Sequence, residues 1–223
     1  MERNVDFKEI SDGKLYGSND MVKADCNGCK GCSACCRGMG HSIVLDPLDV
    51  HRLSAHLQQS FEELLAEHIE LNVVDGVILP NLKMSGPTES CSFLDEEGRC
   101  RIHAIRPGIC RLFPLGRFYE NEGFRYFLQV HECPMPNKTK VKVKKWIDTP
   151  ELKRNETFVN EWHYFLKELQ KKLKESEEES VAKNVSMYIL QNFYMNPFER
   201  GEDFYEQFEA RLQGAGMMMR QIH

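Results

Sequence analysis

The run Cys26-Asn-Gly-Cys29-Lys-Gly-Cys32-Ser-Ala-Cys35-Cys36 places five thiols within eleven residues. A C-x-x-C turn lets two sulfurs converge on one ion or one cluster face, because the intervening pair completes a tight turn. Gly28 and Gly31 tolerate positive φ and let backbone amides approach the sulfurs as hydrogen-bond donors. Repetition of the interval through Cys29, Cys32 and Cys35 is the pattern by which bacterial ferredoxins grip three irons of a cubane cluster. Zinc ribbons instead set two separate C-x-x-C knuckles face to face. No second C-x-x-C follows in this chain, which favours iron–sulfur over zinc. The adjacent side chains of Cys35 and Cys36 tend to diverge, so one is expected to face the first centre and the other a second centre or a bridge to it.

The rest of the composition sets bounds. A chain of 223 residues suits one domain, or one domain with an appended subdomain. A net charge of −5 argues against a binder of nucleic-acid phosphates, which needs a dominant basic face. The stretch from Met1 to Ala24 lacks the apolar core of a secretory signal, and no later run is long enough to span a membrane. The expected address is the cytoplasm, where nine cysteines do not suit a disulfide framework. All nine fall between Cys26 and Cys133, and twelve of the fifteen glycines precede Tyr126. The front is therefore rich in turns and thiols, and the back is charged, aromatic and helical.

In chain order, residues 1–25 read as a poorly structured lead-in with a short strand. Ser42-Ile43-Val44-Leu45 suits a strand or a buried lead into the next helix. Asp46 caps that helix, with Pro47 in its first turn and Val50, Leu53 and Leu57 on the inner face. Ser60 and Glu63 form a capping-box pattern for a second helix with Phe61, Leu64, Leu65 and Ile69 inward. Val73 to Leu79 reads as one strand ending at Pro80.

Cys91 to Cys100 suits a loop or tight hairpin turning at Gly98. Pro107 is placed to begin a short helix carrying Cys110. Arg117 to Glu120 and Gly123 to Val130 form a hairpin around Asn121-Glu122-Gly123, followed by His131-Glu-Cys133-Pro134. A remote Cys-Pro is also the form of the distant cluster ligand in ferredoxins. The lysine alternation from Lys138 to Ile147 suits a solvated edge strand, whose charges discourage edge-to-edge pairing, better than a basic contact surface.

Three aromatic stripes at helical spacing follow. They are Phe158, Trp162, Phe165, Leu169 and Leu173; then Val185, Tyr188, Ile189 and Phe193, stopping at Asn196-Pro197; then Phe204, Phe208 and Leu212. Gly214 to His223 reads as a frayed end.

The combination of Cys29-x-x-Cys32-x-x-Cys35-Cys36 with Cys91-Ser-Phe-Leu, Cys100-Arg-Ile-His and Arg106-Pro107-Gly-Ile-Cys110-Arg111-Leu-Phe113-Pro114 resembles the YkgJ-type cysteine-cluster family. That family is also called CxxCxxCC, a zinc- or iron-chelating domain, and the resemblance covers roughly Cys26 to Pro134. It implies eight metal-binding cysteines: Cys29, Cys32, Cys35, Cys36, Cys91, Cys100, Cys110 and Cys133. Cys26 extends the run one step beyond the family pattern, as an alternative ligand or a spare thiol. His103 stands where tyrosine is frequent, leaving open a nitrogen ligand. Some relatives, the flagellin lysine methylases, couple the motif to protein lysine N-methylation. Here no S-adenosylmethionine site is recognisable, because Gly214-Ala-Gly216 lacks a strand–turn–helix context.

Arg106 and Arg111 flank the expected ligands and suit either charge compensation of thiolates or fold stapling. His103, His131 and His41 are more often outer partners or surface residues than ligands. No Ser/His/Asp set, phosphate loop or dinucleotide fingerprint supports a conventional enzyme. Two readings remain: a metal-binding module holding a 4Fe-4S cluster or zinc, whose centre is structural or handles metal or electrons, and a metal-dependent protein-modifying enzyme. A protein partner or a homodimer is compatible with either. A structural zinc site of this type contributes roughly 10–16 kcal/mol in small peptides. Whole-domain stability is only about 5–15 kcal/mol, so loss of metal is expected to loosen the front half.

The expected fold is α+β: a small, irregular, metal-stapled core with short strands, flanking helices and a helical C-terminal extension. The expected partition is a lead-in over 1–25, a metal-binding domain over 26–137, and an edge strand with packed helices over 138–223.

Overall fold

Strand-forming residues come in short runs broken by turn residues, so each sheet closes as a single antiparallel pair. The computed structural model describes residues 6–26, 32–176 and 179–219. Its helices and short strand pairs make the chain α+β. By contact the chain divides into two units, each built from two separated stretches. Unit 1 comprises Met1–Ile43 and Met84–Glu156, and unit 2 comprises Val44–Lys83 and Thr157–His223.

In unit 1, β1 (Met21–Asp25) pairs with β8 (Thr139–Lys142), β4 (Met84–Ser85) with β5 (Ser90–Cys91), and β6 (Leu115–Glu120) with β7 (Gly123–Leu128). Asn121 and Glu122 both adopt positive φ in the two-residue turn between β6 and β7, which matches the twist of a hairpin. Val22, Ala24, Leu112, Leu115, Tyr126, Val143 and Ile147 form one core cluster among the described residues.

The lead-in is more ordered than its composition suggests. Asp6 caps α1 (Phe7–Ile10), Ser11 bridges Gln129, and Tyr16 bridges Tyr126. The Phe7 ring packs edge-on against Phe118 and Phe127 at 5.2 and 5.4 Å, which anchors this segment to the β6–β7 hairpin. The expected edge strand over 138–147 stops at Lys142. Val143–Ile147 is instead a helical turn, α5. Val143 and Ile147, four residues apart, are both buried. The amides of Val143 and Lys144 donate to the carbonyls of Asp20 and Ser18 at 3.0 and 2.8 Å. Trp146 Nε1 donates to the carbonyl of Phe113 at 3.1 Å. A helical turn thus brings these two apolar side chains within one turn of each other on one buried face.

Unit 2 starts with a short bridge between Val44 and Asn81, and Leu45 after it is buried, which makes this segment a buried lead into helix. Both predicted caps form. Asp46 and Asp49 exchange side chain-to-backbone bonds at the start of α2 (Pro47–Leu57), and Ser60 and Glu63 do so at α3 (Phe61–Glu67). The stretch read as one strand is a hairpin of β2 (Ile69–Val74) and β3 (Val77–Leu82). Asp75-Gly76 turns it, both residues having positive φ, and Asp-Gly is a strong two-residue hairpin signal.

The back of unit 2 carries the aromatic stripes on α6 (Leu152–Glu175, in unit 2 from Thr157), α7 (Glu179–Leu190) and α8 (Phe204–Met219). Gln191–Met195 continues α7 as a wider π turn closed by the Asn196 amide on the Gln191 carbonyl at 2.9 Å. Phe158 and Phe208 meet edge to face at 4.6 Å, and Trp162 meets Phe193 at 4.9 Å. The expected fraying from Gly214 does not occur before Met219. Ala215 and Met219 prolong the apolar stripe of Phe208 and are buried, while residues 220–223 lie outside the described residues. No helix among the described residues is long and apolar enough to cross a membrane.

Candidate metal centre

Most of the described thiols lie in short segments (a 3₁₀ turn, a two-residue strand, a bridge, a short helix), and backbone pairing brings several of those segments together. Ala34–Cys36 is a 3₁₀ turn closed by the Cys36 amide on the Ser33 carbonyl at 2.9 Å. The chain then becomes extended, and Arg37 forms an antiparallel bridge with Ser90. The Gly38 amide donates to the Glu89 carbonyl at 3.0 Å. The Arg37 guanidinium reinforces this junction, donating from Nη1 to the Ser90 and Thr88 hydroxyls at 2.6 and 3.2 Å. Cys36 and Cys91 are each the next residue to one member of the bridge.

The second thiol block folds back on itself. Leu94 bridges Cys100, the Arg101 amide donates to the Phe93 carbonyl at 2.9 Å, and Asp95 to Gly98 forms the turn. Gly98 sits there at φ 72°, and a Cβ on it would lie 3.6 Å from Ser33 Oγ. The tip of this hairpin therefore touches the start of the first thiol turn. After Cys100, His103–Ile105 makes a 3₁₀ turn, and Pro107 caps the expected short helix α4 (Gly108–Leu112) that carries Cys110.

The thiols act on one another across the two blocks. Cys35 is pushed far up by its hydrogen bond with Cys36 and by burial, with the Arg106 charge opposing. Burial raises the Cys91 thiol, and Cys100 and Cys35 add to that shift. Burial also raises Cys100, where Arg106 opposes and Cys35 adds. Cys35, Cys36, Cys91 and Cys100 thus share one neighbourhood. Cys32 is partly buried just before the first turn, and Cys110 is partly buried on α4. Cys133 lies in the loop after β7, its carbonyl accepting from Lys138 Nζ at 2.8 Å. Cys26 is buried beyond β1, and Cys29 lies outside the described residues. The eight described cysteines form no disulfide with one another.

Among the described residues, no three His, Cys, Asp or Glu side chains stand close enough to hold one ion together. The donor chemistry still fits a thiophilic metal, because Cys35, Cys91 and Cys100 lie within electrostatic reach of one another and thiolate sulfur is a soft ligand. His103 is exposed and receives a hydrogen bond from Arg106 Nη1. Burial and the charges of Arg106, Arg99 and Arg111 hold its pKa down. His41 and His131 are exposed.

The two flanking arginines divide their roles. Arg111 is 7% exposed and staples the fold. Its Nε donates to the Arg106 carbonyl at 3.2 Å, its Nη1 to the Asp148 carbonyl at 2.8 Å, and its Nη2 to the Ala104 carbonyl. Arg106 is the one whose charge reaches the thiols. Arg37 carried no signal in the sequence beyond its position after Cys36, because its partners Thr88 and Ser90 are distant along the chain.

The family model for CxxCxxCC, described as a putative zinc- or iron-chelating domain, matches residues 28–157, more than half of the chain. Comparisons with curated proteins and with solved structures return no match. The matched stretch contains every thiol brought together above, and the chain belongs to the CxxCxxCC family of metal-chelating domains.

Proposed function

We propose that this chain is a cytoplasmic metal-binding protein carrying an iron–sulfur centre of the 4Fe-4S type, serving redox or metal handling. Cys29, Cys32, Cys35, Cys36, Cys91, Cys100, Cys110 and Cys133 are its ligand pool. The observation that carries the reading is the junction of the two thiol blocks. Arg37 pairs with Ser90, Leu94 pairs with Cys100, and Cys35 acts electrostatically on both Cys91 and Cys100. Bringing sulfurs together from residues so far apart in sequence costs loop entropy and burial of polar thiols. A shared metal supplies the compensating free energy.

Iron–sulfur is preferred to zinc because the first block repeats the C-x-x-C interval instead of setting two knuckles opposite each other. Once bound, such a cluster supplies one-electron chemistry, while the chain supplies sulfur ligands, burial and charge. Purification without oxygen, followed by metal analysis and a visible spectrum, tests the proposal. A brown protein with iron and acid-labile sulfide in equal amounts is expected. A colourless protein containing zinc would replace the cluster with a zinc site, and a preparation binding neither metal would remove the function.

A further inference from the structure

We propose that Arg106 is the tuning residue of the metal centre, its Nε–H donating to a metal-bound sulfur and its charge offsetting the anionic ligand shell. This rests on the metal-binding reading above and adds a role that the ligand list does not contain. Arg106 Nε is shut off from solvent and has no hydrogen-bond partner, which is unusual for a group that donates so readily. Nη1 of the same guanidinium is engaged with the His103 ring. That contact holds the guanidinium from the His103 side. Arg111 Nε in turn donates to the Arg106 carbonyl at 3.2 Å, anchoring the backbone beneath.

Arg106 ends the 3₁₀ turn that follows Cys100 and lies just before α4, the helix that carries Cys110. Its charge acts on Cys35 from the first block and on Cys100 from the second, whereas Arg101 acts on Cys91. Four thiolates around a divalent ion, or around a cubane, leave a net negative shell. An N–H donor held there without a partner is matched to anionic sulfur, and hydrogen bonds to ligand sulfurs are an established lever on metal affinity and potential. Arg111 cannot take this part, because all three of its nitrogens donate to backbone carbonyls.

Arg106→Gln and Arg106→Lys in the full chain, each purified without oxygen, test the assignment. Iron release is followed with bathophenanthroline, or zinc release with 4-(2-pyridylazo)resorcinol, according to the metal found in the unmodified protein. Arg106→Gln is expected to release metal at least about tenfold faster, the usual effect of losing an outer-shell partner. With iron, its midpoint potential should also move to more negative values, because a positive charge near the cluster is gone. Arg106→Lys should restore the potential, through its charge, but only part of the retention, since it has no Nε–H in that place. Equal release rates for the unmodified protein and both variants overturn the proposal, as does a potential that Lys fails to restore. If Arg106→Gln does not give a native far-ultraviolet spectrum, Arg106→Lys decides alone, and retention equal to the unmodified protein overturns the role of Nε. Unmodified protein that binds neither metal overturns the underlying function, a result distinct from metal held equally well by all three proteins.

Discussion

Arg37 and Ser90 meet twice, through an antiparallel backbone bridge and through a hydrogen bond from Arg37 Nη1 to the Ser90 hydroxyl at 2.6 Å. This contact joins the two thiol blocks without using a sulfur. Arg37→Met should change global stability by no more than about 0.5 kcal/mol, because the side chain is exposed. Locally the effect should be larger. Amide exchange at Gly38, whose N–H donates to the Glu89 carbonyl, should accelerate about tenfold, equivalent to one lost hydrogen bond. Unchanged exchange at Gly38 in metal-free protein would show that the junction holds without the guanidinium.

Stripping the metal should act on the two units unequally. Unit 1 has a small apolar core around Val22, Leu112 and Tyr126, whereas unit 2 has the interlocked rings of Phe158, Trp162, Phe193 and Phe208. Chelation, or Cys32→Ser, should therefore open the thiol loops to limited proteolysis while α6 to α8 stay resistant. Cys32→Ser should lower metal content and solubility together. Normal folding with full metal occupancy in that variant would remove Cys32 from the ligand set.

Arg211 closes the π turn of unit 2. Its guanidinium donates to the carbonyls of Asn192, Asn196 and Pro197, each at 2.7 Å, and lies 3.8 Å above the Phe198 ring. A lysine ammonium cannot match this planar fork. Arg211→Lys should cost about 1–3 kcal/mol in urea unfolding, nearly as much as Arg211→Met. A Lys variant as stable as the unmodified protein would mean that the charge matters and the fork does not.

Alkaline pH should destabilise the chain through its buried tyrosines. Burial, then the Glu156 charge, raises Tyr126, whose hydroxyl donates to Glu156 Oε1 at 2.8 Å. Burial, then Asp46 and Asp49, raises Tyr194, whose hydroxyl donates to the Leu45 carbonyl at 3.1 Å. In the unfolded chain both lose their protons near pH 10, so above that pH the unfolded state binds fewer protons and is favoured. Stability should be intact below about pH 10 and then fall by about 1.4 kcal/mol per pH unit for each tyrosine. Urea titrations at several alkaline pH values check this, and Tyr126→Phe should flatten the slope. An unchanged slope in that variant would assign the loss to other groups.

What the sequence made legible was local. The Asp46 and Ser60 caps and the Asn121-Glu122 turn form as read, because each depends on residues within one or two turns of chain. Asp75-Gly76 was equally local but lay inside an apolar run long enough to pass for one strand. The Lys138–Ile147 alternation misled beyond Lys142, because Val143 and Ile147, four residues apart, share a face in a strand and in a helical turn alike, and the turn is fixed by distant partners such as Asp20 and Ser18. In the candidate site, the thiols and the two arginines were visible, but their division of labour was not. Arg111 and Arg106 differ in which carbonyls lie within reach, and the Arg37–Ser90 contact spans 53 residues. Such partners are set by tertiary packing, which no spacing rule encodes.

Each unit is assembled from two stretches separated by part of the other, so the polypeptide changes allegiance three times along its length. Neither unit can be excised as a continuous fragment. A truncation near residue 137 would take β8 and α5 from one unit and the aromatic helices from the other. The order of synthesis carries a further penalty. The fifty-five residues from Cys36 to Cys91 take roughly 3–11 s to make at about 5–20 residues per second. Throughout that interval the first five cysteines emerge from the ribosome with no sulfur partners from downstream, exposed to any oxidant or stray metal that reaches them first.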